Sequence, residues 1–107
     1  MNEQSKPSRR QVAALRQADN DMKAVLATPA GRRVLMRTID NAGVFLRSFT
    51  GDSETFFREG RRSVGLDMIE AIENVQPGAF ATLQQEALAL RQQLDHMSQT
   101  GETDADE

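Results

Sequence analysis

The residues able to do chemistry are few. The chain has 107 residues, with one histidine and no cysteine. His96 directly follows Asp95, and adjacent residues point to different sides of a helix, so the two do not form an orienting pair. A lone histidine also lacks the converging companions that a metal site needs. Asp67, Glu70 and Glu73 share the polar side of one expected helix, which reads as a solvated carboxylate face rather than a cation site. A serine nucleophile needs a base, and the one imidazole is distant in sequence. Gly60-Arg61-Arg62-Ser63 superficially matches the end of a phosphate loop. The preceding glycine, Gly51, is misplaced, arginine replaces lysine, and no strand comes before it. The sequence therefore offers no catalytic residue, no metal ligand set and no cofactor signature, and the chain is read as non-enzymatic.

Arginine is the more informative group: there are eleven, against two lysines. A guanidinium is rigid, always charged and able to grip a carboxylate or phosphate with two parallel bonds. Arg58, Arg61 and Arg62 fall within one helical turn, while Arg33 and Arg37, with Arg32, form a second group. Phe49 and Phe56 lie close to the first group in sequence. These residues, Phe49, Phe56, Arg58, Arg61, Arg62, Arg33 and Arg37, are the candidate partner contacts. The competing reading is local ion pairing, with Glu54 four residues before Arg58 and with Asp40 and Glu59 as further acids. Nucleic acid is expected to bind weakly or not at all, because the pI is near 5.2 and there is no Trp or Tyr on which a base could stack.

Charge is uneven. The first 65 residues carry a net +5 and the last 42 a net −8, within a total of −3. The halves complement each other inside one fold or between copies, or else the basic half meets an acidic partner. No apolar run approaches the ~18 residues of a membrane span. The opening "MNEQSKPSRR" has no apolar core after it and is not read as a secretory signal.

The elements that must position these residues are all helices. Pro7-Ser8 with Gln11 makes a capping box at the start of a helix reaching about Ala27, with Leu15, Ala18, Met22 and Leu26 on one face and Val12 and Val25 beside it. Thr28-Pro29 starts the second helix, whose apolar side is expected to be Val34, Leu35, Thr38, Ile39 and Ala42, with Gly43 ending it. Asp52 or Ser53 caps a third helix running to about Val75. Its predicted buried stripe is Phe57, Gly60, Val64, Met68, Ala71, Ile72 and Val75, with Gly60 admitting a neighbouring backbone. Phe56 lies off that stripe. It either faces a partner or is covered by the 44–50 connector. Pro77-Gly78 breaks the chain before a last helix with a seam of Phe80, Leu83, Ala87, Leu90, Leu94 and Met97. That seam suits the protein's own first helix or a different subunit. The expected organisation is a disordered 1–7, one helical domain over 8–98 and an acidic disordered tail over 99–107, giving an all-α small bundle of three to four helices.

The stretch "TPAGRRVLMRTIDNAGVFLRSFTGDSETFFREGRRSVGLDMI" resembles a family of small tailed-bacteriophage proteins. The shared pattern has the form TPxGRRVL, AGVF and SFTGxSExFFxEGRRxVGL, spanning about residues 22–75. Members are typically encoded among phage structural genes, near portal and coat genes. The resemblance implies a virion or virion-assembly role, in the head interior, at the portal or in the tail, or as a protein ejected with the genome. It implies phage structural proteins as partners, with a homo-oligomer allowed, and a location in the virion and, during assembly, in the host cytoplasm. It transfers no catalytic residue. The alternative is an intracellular phage protein that modulates a nucleic acid or a host protein.

Overall fold

A computed structural model describes residues 6–46 and 50–105. Four helices follow in order, α1 (Arg9–Leu26), α2 (Pro29–Asn41), α3 (Glu54–Val75) and α4 (Ala79–Ala105), with no strand among the described residues. The chain is thus an all-α small bundle.

Local chemistry sets the helix starts. The Ser8 hydroxyl accepts the Gln11 amide at 3.1 Å, and the Gln11 side chain accepts the Ser8 amide at 2.7 Å. This closes the expected capping box. Thr28 Oγ1 accepts the Gly31 amide at 3.0 Å, with Pro29 at the first helical position. Gly43 takes φ 75° just beyond the end of α2, a conformation that costs glycine little. For α3 the cap is Asp52: its carboxylate accepts the Glu54 amide at 3.0 Å, whereas Ser53 makes no side-chain capping bond. α4 runs on to Ala105, past the expected end at Ser98, with no proline there to stop it.

Glu73 departs from its sequence reading. The sequence places it in a solvated row, but its carboxylate folds onto the start of α4 and accepts the Gly78 and Phe80 amides at 2.9 and 2.8 Å. Those two amide bonds, Gly78 first, hold its carboxyl below the ordinary 4.5. A depressed pKa means stability that is present above pH 4.5 and lost as pH falls through the lower folded value. Glu73→Gln, which keeps an acceptor oxygen without the titration, is expected to flatten the loss of melting temperature below pH 4.5. An acid limb as steep as the parent's, in melts followed across that range, would refute the assignment.

The core gathers Leu26, Leu35, Met36, Ile39, Val44, Ile72, Ala79 and Leu83, with Ile39 and Ile72 at 0% exposure. Two faces are rotated from expectation. In α2 Met36 is buried and Val34 exposed. In α3 the inward stripe is Gly65, Met68, Ile69, Ile72 and Val75, while Phe57 and Val64 face outward and Gly60 stands in open space. The glycine that admits a neighbour is therefore Gly65. A Cβ there would sit 2.5 Å from Val44 Cγ2 and 2.8 Å from Ala42 Cβ. The missing side chain lets the end of α2 and its connector seat against α3.

α4 packs on α2 and α3 and makes no contact with α1 among the described residues. The first part of α1 and the last part of α4 consequently project as arms. The radius of gyration is 19.0 Å, against about 13 Å for a compact chain of this length.

Candidate partner-contact site

The amino-terminal half of α3 presents the candidate surface because only its second half is anchored in the core. Phe56 is 81% exposed and Phe57 65%. The described part of the connector does not cover Phe56. Instead Val44 seats on Gly65, and the Phe45 ring stacks on Phe80 with centroids 6.2 Å apart. Phe49 lies outside the described residues.

The arginines of this half divide. Arg58 bonds Glu54 at 3.1 Å, an exposed pair one turn apart. Arg61 lies over the Phe57 ring, its guanidinium carbon 5.8 Å from the centroid, and donates to the Asn41 carbonyl at the end of α2. Between these side chains and the α2 terminus is a depression of about 300 Å³ lined by Asn41, Gly43, Leu46, Phe57, Arg58 and Arg61. Arg62 turns the other way. Its Nε donates to the Val44 carbonyl at 3.1 Å, and its NH1 stands 3.7 Å from Glu59, so it pins the connector. Beside the depression, Asp52 accepts the Thr50 hydroxyl at 2.6 Å; that bond, the Glu54 amide and the nearby Arg58 charge hold its carboxyl below the ordinary 3.8.

Arg33 and Arg37 are not part of this surface. They flank a separate groove of about 390 Å³ between α2 and α4, floored by Met36, Leu83, Ala87 and Leu90. Among the described residues neither makes an ion pair, and Asp40 pairs with no arginine. The groove is closed at one end by Arg32, which joins α2 to α4 by bonding both oxygens of Glu86 at 2.9 and 3.1 Å. Phe57 was missing from the sequence-based contacts because its spacing matched the stripe assigned to the core. The stop signal at Ala42-Gly43 marks where the other wall of the depression forms.

Chemically, the surface offers a guanidinium over an aromatic face, a second guanidinium and a protruding phenyl ring. Such groups anchor protein contacts, since each brings apolar area and a directed charge together. No group of three or more His, Cys, Asp or Glu able to hold a metal ion occurs among the described residues. No described helix is long and apolar enough to cross a membrane.

The family model of the Bbp19-like phage protein matches residues 22–85, from the last turns of α1 to the second turn of α4. No curated protein and no solved structure matches the chain. The matched segment contains all of α2 and α3, the core residues they supply, the depression and both arginine groups. With more than half of its length so matched, the chain belongs to the Bbp19-like phage protein family.

Proposed function

We propose that the protein is a non-enzymatic virion or virion-assembly component that binds phage structural proteins of the head interior, portal or tail through the first half of α3. The observation that carries this reading is the exposed Phe56–Phe57 pair with Arg58 and Arg61 beside it, on a helix whose other half is locked into the core. A free monomer gains nothing from two outward phenyl rings on consecutive residues, whereas a subunit in an assembly buries them. Membership of a phage family supplies the setting.

Mass spectrometry of gradient-banded particles tests this. The wild-type chain should band with the particles. The double variant Phe56→Ala, Arg58→Ala changes only exposed side chains, so it should keep parent helicity and lose incorporation by about 30-fold, the effect of removing an interface anchor of about 2 kcal/mol. Absence of the wild-type chain from particles would overturn the reading in favour of an intracellular modulator. Parent-level incorporation of the variant would remove this surface from the proposal.

A further inference from the structure

Both projecting arms carry apolar residues that this chain leaves exposed. In α1, residues 9–21 include no buried residue, and Leu15 is 64% exposed. In α4, residues 91–100 are all exposed, Leu94 and Met97 among them. The two arms do not close on each other within one molecule. α1 is fixed at its end by buried Leu26, α4 at its start by buried Ala79 and Leu83, and the two helices do not touch among the described residues. The arms also lie largely outside the segment that matches the family, so they are features of this chain rather than of its family core.

The seams fit each other in one direction. Leu15, Ala18 and Met22 are spaced three then four, and Leu90, Leu94 and Met97 four then three. Run antiparallel, they align layer by layer, Leu15 with Met97 and Ala18 with Leu94, and at the inner end Met22 with Leu90, each half-covered by its own chain. Charge gives the same answer. Residues 6–18 carry Lys6, Arg9, Arg10 and Arg16 with no acid, whereas residues 92–107 carry Asp95, Glu102, Asp104, Asp106 and Glu107 with no Lys or Arg. Antiparallel packing sets the basic start of α1 beside the acidic end of α4, and parallel packing separates them.

We propose that α1 of one copy packs antiparallel on the distal half of α4 of a second copy, with the basic start of the one beside the acidic end of the other. The occupant of both seams is thus this chain itself. Complementary charge sets the orientation and the association rate, while the Leu and Met layers supply the buried area. The contact goes beyond the virion reading, because it is a property of the purified chain.

Sedimentation velocity of the full chain at about 100 µM, well above a micromolar dissociation constant, should show a species heavier than the monomer. Its population should fall as salt rises, because the flanking charges are exposed. Leu15→Glu and Leu94→Glu alter exposed positions, so each should retain parent helicity and weaken association about 30-fold. Replacing Arg9, Arg10 and Arg16 together with Glu should weaken association, because acid then meets acid at the outer end of the contact. A monomer at that concentration overturns the contact, as does an oligomer that both leucine variants leave intact. Association unchanged by that replacement overturns the antiparallel orientation. None of these results depends on whether the chain enters particles, so this proposal and the virion reading fail separately.

Discussion

Gly31→Ala is expected to destabilise the fold by about 3 kcal/mol, while Gly60→Ala stabilises it by about 1 kcal/mol. The two glycines have opposite surroundings. Gly31 lies in the first turn of α2, where the chain has just turned the corner from α1. A Cβ there would collide with the Val25 carbonyl oxygen and stand 2.9 Å from both the Val25 carbonyl carbon and Thr28 Oγ1. Two of these atoms are backbone, so no rotamer change relieves the collision. The corner must open, and with it go the Thr28 cap and the Arg32 bond to the Leu26 carbonyl. Gly60 has nothing within 4 Å, so a methyl group there only removes the flexibility of an exposed helical glycine. Urea unfolding followed by far-UV circular dichroism measures both. A Gly31→Ala protein as stable as the parent would show that the corner is loose, and a destabilised Gly60→Ala would show that α3 bends or is covered at that point.

The same contrast shows what the sequence can carry. Caps and breaks are local, so Ser8 with Gln11, Thr28-Pro29, Gly43 and Pro77-Gly78 mark the helix boundaries they are expected to mark. The inward side of a helix depends on where its neighbours arrive. In α3 the inward stripe keeps Met68, Ile72 and Val75 of the expected one but is turned from it, so that Gly65 and Ile69 face in and Phe57 and Val64 out, and periodicity does not resolve so small a turn. The choice is made by Gly65, which lets Val44 approach, and that is a tertiary fact. α1 illustrates the converse. Its amphipathic pattern is plain in the sequence, but a pattern says that a face wants cover, not that the cover belongs to the same chain. Among the candidate contacts, the grouping of Arg58 and Arg61 beside exposed phenyl rings follows from helical spacing. The turn of Arg62 toward Val44 and the removal of Arg33 and Arg37 to another groove follow from how α2 crosses its neighbours, which no local spacing encodes.

Arg32→Met is expected to cost about 2 kcal/mol, several times the loss from Arg58→Ala, although each arginine is paired with a glutamate. Arg58 and Glu54 are about half exposed and belong to one helix, so their pair orders two side chains in water and contributes a few tenths of a kcal/mol. Arg32 is different in burial and in what it joins. Its side chain is 22% exposed; Nε bonds both Glu86 oxygens in α4, and NH1 donates to the Leu26 carbonyl at the end of α1 at 2.8 Å. One guanidinium thus ties three helices at the point where α1 ends. Bonds to a charged group contribute roughly 1.5–3 kcal/mol, and their loss leaves the Leu26 carbonyl without that donor. Methionine keeps much of the apolar stem, so the measured loss reports the polar contacts rather than a cavity. Lysine should recover less than half, because an ammonium on a flexible stem does not reproduce the planar fork that meets a carboxylate and a carbonyl at once. A double-mutant cycle with Glu86→Gln should give a coupling above about 0.5 kcal/mol, since the two side chains are in direct contact. If Arg32→Met lies within about 0.5 kcal/mol of the parent, as an ordinary surface substitution does, the three-helix tie is not what holds the corner. Stability would then rest on the Leu26, Ile39 and Leu83 packing beneath it.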